Sequence, residues 1–284
     1  PLPSSLPSQI AMARRSYQLA IGELVGKSFG IYFRNLLPFL VISAATLSPW
    51  VALTLFVEDY TETLLFEGGG SAPKLIALGI LTFVVQTVLG FVMTGAITFG
   101  TVQSLRNQPA AFGETVRMGM TALGRVFWTA MLVGLRILLY SSGALAMILV
   151  AMLAGEPMLA AIAWPLMIPG LIEWVRLYVA VPASVMEGKA AGESVARSKW
   201  LTDGSRWQVF GAWFLVALLA WVVALVIGAV VVWTEAFDPT NSWLNICIQV
   251  LVTPFGATMA ATTYFLLRMG KENVDAKELA AVFD

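Results

Sequence analysis

Residues 207–234 read WQVFGAWFLVALLAWVVALVIGAVVVWT, without one charged side chain. At 1.5 Å per residue, roughly 20 mostly apolar residues cross about 30 Å of hydrocarbon. This run exceeds that length and leaves no polar face for water. The same property recurs in both directions along the chain. Uncharged runs occupy 35–57, 75–105 and 239–267, and two more, near 127–153 and 158–185, are broken only by Arg136, Glu173 and Arg176. Six spans follow: 36–56, 75–103, 127–153, 158–184, 207–233 and 242–267. The expected fold class is an all-α integral membrane protein with six transmembrane helices. Composition points the same way, with 58% hydrophobic and 12% charged residues. A soluble domain carries about 25% charged residues.

The charges between the runs are sorted. Of 17 Lys and Arg, 14 lie at 1–34, 106–125, 187–206 or beyond 267. The alternate connections hold Glu58, Asp59, Glu62, Glu67, Glu156, Glu235 and Asp238, with Lys74 as their one base. Short basic loops stay in the cytoplasm. Six spans therefore put every basic group on one face and both termini inside, whereas five or seven would scatter them. Residues 1–16, Pro/Ser-rich at their start, read as a disordered tail. Residues 17–267 form one membrane domain, and 268–284 form a cytoplasmic tail.

The basic segments share a design. Residues 17–34 set Tyr17, Ile21, Leu24, Val25, Phe29 and Tyr32 near one helical face and Gln18, Glu23, Lys27 and Arg34 mostly on the other. Residues 111–125 and 191–203 repeat that pattern, which predicts three interfacial amphipathic helices. Gly22-Glu23-Leu24-Val25, Gly113-Glu114-Thr115-Val116 and Gly192-Glu193-Ser194-Val195 open them. Two readings stand: three repeats of amphipathic helix plus transmembrane hairpin, or the common look of any helix that leads into a membrane.

Arg136, Glu173 and Arg176 are the charges inside the spans. Counting residues to the basic loops places all three at a similar depth, roughly 15–20 Å in. An isolated charge mid-span costs ~2.5–3.5 kcal/mol on insertion scales. Pairing lowers that cost, so an ion pair between Arg136 and Glu173 is expected, with Arg176 competing for the same carboxylate. The group reads either as an interhelix clamp or as a polar site for an ion, a lipid headgroup or a proton path.

Pro49, Pro165, Pro169 and Pro254 predict bends within spans. Gly90, Gly95 and Gly100 predict close helix packing. Trp50, Trp128, Trp164, Trp200, Trp207, Trp233 and Trp243 predict an interfacial belt. There is no histidine and only one cysteine, Cys247. Imidazole and thiolate are the usual ligands of zinc, haem iron and copper, so no metal or other cofactor is expected. No catalytic set is legible, and no basic patch suits nucleic acid.

Three stretches resemble one family. They are Glu23-Leu24-Val25-Gly26-Lys27-Ser28-Phe29 through Arg34, the segment Pro182–Trp207 with its Glu187-Gly188-Lys189 and Ala196-Arg197-Ser198-Lys199-Trp200-Leu201-Thr202-Asp203-Gly204, and Thr263-Tyr264-Phe265-Leu266-Leu267-Arg268. Together they look like the membrane domain that accompanies bacterial glycerophosphoryl diester phosphodiesterases and that also occurs alone. The resemblance covers roughly 20–284. It implies a bacterial inner-membrane protein. It implies no reaction, because the phosphodiesterase chemistry belongs to a separate soluble domain that uses histidines and acidic metal ligands.

Within the middle stretch, Lys189, Arg197, Lys199 and Arg206 are candidates for contacts with anionic lipid headgroups, worth ~1 kcal/mol each near a charged leaflet. Topology determination alone explains them equally well. The expected function is that of a non-enzymatic scaffold or accessory subunit that associates with membrane lipids and other integral membrane proteins. The alternative is a transporter or lipid-handling protein with a cavity between kinked helices.

Overall fold

A computed structural model describes residues 19–66, 72–106, 112–155, 158, 161–234 and 242–272. The tails at 1–16 and 273–284 lie outside these residues. So do the acidic side chains of Glu58, Glu62, Glu67, Glu156, Glu235 and Asp238, and those of Cys247, Trp233 and Trp243. The described chain is helical, with no strands. In chain order the helices are α1 (Ile21–Arg34), α2 (Leu36–Phe66), α3 (Ala72–Leu105), α4 (Phe112–Tyr140), α5 (Ser142–Ala154), α6 (Ala163–Leu166), α7 (Ile168–Leu177), α8 (Ala180–Glu187), α9 (Ala191–Thr202), α10 (Arg206–Thr234) and α11 (Ser242–Glu272).

Five helical stretches are long and apolar enough to cross a membrane: Leu36–Thr61, Pro73–Leu105, Gly113–Tyr140, Ala163–Glu187 and Gln249–Glu272. Counting α9 and α10 as one bent element makes six. Only 6% of the apolar window in α3 is buried. Leu37, Phe83, Leu139 and Trp221 likewise face outward. A chain that turns this much hydrocarbon outward is built for a solvent of lipid, where every backbone group must be bonded within the protein; helices do that. The molecule is an all-α, multi-pass membrane protein.

Two large cores and a small one, around Leu177, Ala180 and Val195, hold the bundle together. One large core joins α1, α2 and α3 through Ile31, Phe39, Ile42, Met93 and Ile97. The other joins α3, α4, α7, α8, α9, α10 and α11 through Val102, Val126, Val175, Ala183, Leu201, Val209 and Met259. Helix α3 packs most closely on α4. A Cβ added to Gly119 would sit 2.6 Å from the Val92 carbonyl oxygen, and one on Gly95 would sit 3.3 Å from the Gly119 Cα. Of the glycines expected to allow close packing, Gly95 therefore lies at the contact, while a Cβ on Gly90 would meet only open space. Trp50 departs from the interfacial belt: it is buried in the core of α1, α2 and α3. Trp128, Trp164, Trp200 and Trp207 are exposed.

Three boundaries differ from the sequence reading. The amphipathic segment 111–125 is no separate interfacial helix, because α4 runs unbroken from Phe112 to Tyr140. No proline interrupts that stretch, and its glycines stay helical. The break expected near residue 126 falls instead at Ser141 (φ −96°, ψ 1°). Here α7 crosses so closely that a Cβ on Gly170 would overlap the Ser141 hydroxyl at 1.8 Å. The span expected at 127–153 is thus replaced by Gly113–Tyr140, and the 13-residue α5 follows as a short apolar helix.

The span expected at 158–184 is a chain of three helices, α6, α7 and α8. Pro165, Pro169 and Pro182 each fall within the first turn of one of them, where a missing N–H costs nothing. Gly188 (φ 65°) then ends α8 and reverses the chain. The expected interfacial helix at 191–203 corresponds to α9, which folds back into the bundle. It buries Ser194, Val195, Ser198, Leu201 and Thr202. Gly204 (φ 78°) supplies the turn after it, and α10 leaves at 93° to α9. At the end of the chain, α11 continues to Glu272, so Arg268 and Lys271 belong to a helix and not to a tail.

Candidate functional site: two buried ion-pair clusters

Glu173 is the most buried charged side chain described, with 1% exposure. It points from α7 toward α4 and α9. Arg176 Nη1 lies 3.0 Å from its Oε2, and Arg136 Nη1 lies 3.6 Å from its Oε1. The three charges read from the spans are thus brought together. A fourth, Lys199, reaches the same carboxylate, with Nζ 2.7 Å from Oε1. The sequence reading offered Lys199 as a candidate for headgroup contact or as a topology signal; the fold-back of α9 turns it inward. Ser198 and Thr202 anchor that fold-back by donating to the Arg176 carbonyl at 2.9 and 3.2 Å. A backbone oxygen freed where α7 ends is thereby satisfied.

The second cluster lies at the junction of α8, α9 and the end of α11. Glu187 accepts from Arg197 Nε at 2.8 Å and from the Tyr264 hydroxyl at 2.8 Å, and it also pairs with Lys189. Arg197 carries the chain of charges on to Glu272. Arg268 closes the circuit, donating to Glu272 at 2.8 Å and to the Tyr264 oxygen at 3.1 Å. Trp200 caps this group: the Arg197 guanidinium and the Lys271 ammonium lie 4.9 and 5.1 Å from its ring centre. Both distances fall within cation–π range. Lys271 also donates to the Trp200 carbonyl.

Of the four bases proposed for headgroup contact, none is without a carboxylate. Arg197 and Lys199 are turned into the two clusters, Lys189 pairs with Glu187, and Arg206 pairs with Asp203 at 2.8 Å. Only Lys189 and Arg206 keep more than a third of their side chain exposed. Elsewhere, Arg34 and Asn35 at the α1–α2 junction both donate to Ser104 at the end of α3, each at 2.8 Å. Tyr32 donates to the Leu251 carbonyl at 2.7 Å, and burial pushes its phenol above the usual range.

The sequence reading missed Lys199 on Glu173, Glu272 as an acceptor, and the Tyr264 hydroxyl. A signal existed for the last two: Tyr264, Arg268 and Glu272 are spaced four apart, so one helical face presents all three.

Surface grooves lie among the described residues. One of about 520 Å³ runs along α4 beside the start of α9, one of about 310 Å³ lies between α7 and α10, and one of about 440 Å³ lies between α1, α3 and α11. Among the described residues, no three His, Cys, Asp or Glu come together as a metal site.

Fold and clusters together define a helical multi-pass membrane protein whose buried charges tie α4, α7, α8, α9 and α11 to one another. No protein-family model, curated protein or solved structure matches this chain.

Proposed function

We propose that this chain is a non-enzymatic polytopic protein of the bacterial inner membrane, with both termini in the cytoplasm, serving as a scaffold or accessory subunit. One observation carries the reading. The residues that bear chemistry are used on one another. Glu187 and Arg197 from the middle of the resembling stretches meet Tyr264 and Arg268 from the closing one, and the Glu173 carboxylate faces three cations of its own chain. Groups spent in this way hold helices in register, and neither cluster leaves an acid–base pair poised toward a cavity among the described residues. The resemblance to the phosphodiesterase-associated membrane domain is part of the same proposal. It is supported by the meeting of its middle and closing stretches in a single cluster, while Arg34 of the opening stretch is tied to Ser104.

A transporter or lipid-handling role draws support from the groove along α4. Its walls include the exposed Trp128, Met131 and Leu135, so it opens on the outer surface of the bundle. That position suits a lipid better than a solute on a path through the molecule.

The test is native purification in mild detergent. The scaffold reading expects an integral membrane protein to co-purify in fixed ratio and to be lost when Arg197→Ala loosens the second cluster. Uptake of a polar solute by vesicles containing only this chain would overturn it.

A further inference from the structure

The groove beside α4 has one charged residue in its wall. Arg125 stands near its head, and Trp128, Met131 and Leu135 continue from it along one face of the helix. Ala190 and Ala191 form the opposite wall and are too small to fill it. Arg125 is exposed and makes no hydrogen bond or ion pair with any described residue. It differs in this from Lys189, Arg197, Lys199 and Arg206, each of which has a carboxylate. The Gly188 turn backs onto it: a Cβ there would sit 4.0 Å from Arg125 Nη1.

We infer that this groove seats one anionic phospholipid from the surrounding bilayer, with its phosphate on Arg125 and an acyl chain along Trp128, Met131 and Leu135. The inference rests on the membrane reading given above. From Arg125 to Leu135 is ten residues of helix, about 15 Å, a length that matches much of an acyl chain. A guanidinium binds phosphate through two parallel N–H donors. The Gly113–Tyr140 crossing has 28 residues, about 42 Å against about 30 Å of hydrocarbon, and that excess lets the long Arg125 side chain snorkel to headgroup level. Apolar walls alone would hold any lipid; the arginine selects the charged one.

The full chain in detergent, offered equal amounts of phosphatidylglycerol and phosphatidylcholine, is examined by native mass spectrometry. One phosphatidylglycerol per chain is expected, retained at least about ten-fold more strongly than the zwitterionic lipid, as one charge-assisted contact allows. Arg125→Gln removes that preference. Arg117→Gln makes the same change of charge on the same helix and leaves the preference intact. Ala191→Phe fills the groove from the facing wall and lowers retention with Arg125 still present. Equal retention of the two lipids by the wild-type chain overturns the inference. So does an equal effect of the Arg125 and Arg117 variants. A chain that stays in solution without detergent or vesicles overturns the membrane reading as well, so the two failures are told apart.

Discussion

Lys199 Nζ lies 2.7 Å from Glu173 Oε1, although 26 residues and a reversal of the chain separate them. The contact exists because α9 doubles back after Gly188 and runs beside α7. It gathers a third cation onto a carboxylate already faced by Arg136 and Arg176. The group carries three positive charges for one negative, so Glu173 is the member on which the others depend.

Glu173→Gln is therefore expected to destabilise far more than the loss of any one cation. Removing the shared partner of a buried ionic group costs about 3–5 kcal/mol, because the remaining charges stay desolvated and uncompensated. Thermal unfolding in detergent, followed by helical circular dichroism, measures it. A double variant with Lys199→Met should recover part of the loss, since one of the uncompensated charges goes with it. No recovery would mean that Lys199 contributes through packing and not through its charge.

Arg197 spans Glu187 and Glu272 and so fastens α9 to both α8 and α11. Arg197→Ala should cost about 1.5–3 kcal/mol, the range of a hydrogen bond to a charged group. The damage should be local. Hydrogen exchange at Ser194, Val195 and Ser198 should quicken, while α2 and α3 keep their protection. Arg197→Lys retains the charge but has no planar fork to hold two carboxylates, so it should restore only part of the protection.

The spans were legible because hydrocarbon tolerates so little. Runs without charge at 75–105 and 207–234 correspond to α3 and α10 within a few residues. The break at Ser141 was not legible, because its cause is distant in sequence: the close approach of Gly170. Arg136 and Glu173 could be paired by counting depth along antiparallel spans. Lys199 could not, because its depth depends on the direction taken after Gly188. An amphipathic pattern at 191–203 says that one face is apolar. It does not say whether that face meets a membrane surface or the protein's own helices, and here Val195 and Leu201 are buried against protein.

Gly119 sets the distance between α3 and α4. A methyl group at this position would meet the Val92 oxygen at 2.6 Å and the Ala96 nitrogen at 2.9 Å, both backbone atoms that cannot rotate away. Gly119→Ala should cost about 1–3 kcal/mol through overpacking. Gly134→Ala, on the same helix with no atom within 4 Å of the new carbon, should be neutral or gain about 0.5–1 kcal/mol from helix propensity. Opposite shifts in melting temperature for the two substitutions would locate the effect at the helix contact. Equal shifts would assign it to propensity alone.

The proposed topology, with an even number of crossings, can be tested on two exposed positions. Lys74 precedes the apolar part of α3, and Glu193 lies in the first turn of α9. With Cys247 replaced by serine, single cysteines at the two positions should report opposite faces. A membrane-impermeant maleimide applied to sealed membrane vesicles of known sidedness should label Lys74→Cys from one face alone and Glu193→Cys from the other alone; the proposed inner-membrane orientation makes these the periplasmic and the cytoplasmic face. The Pro73–Leu105, Gly113–Tyr140 and Ala163–Glu187 crossings separate the two positions in sequence. An odd number of membrane passages, three, lies between Lys74 and Glu193, through α3, α4 and the α6–α8 chain, and it is this odd count that puts them on opposite faces. Labelling of both from the same side would remove one of these three passages, most directly by making the proline-broken α6–α8 chain a re-entrant element that returns to the face it left.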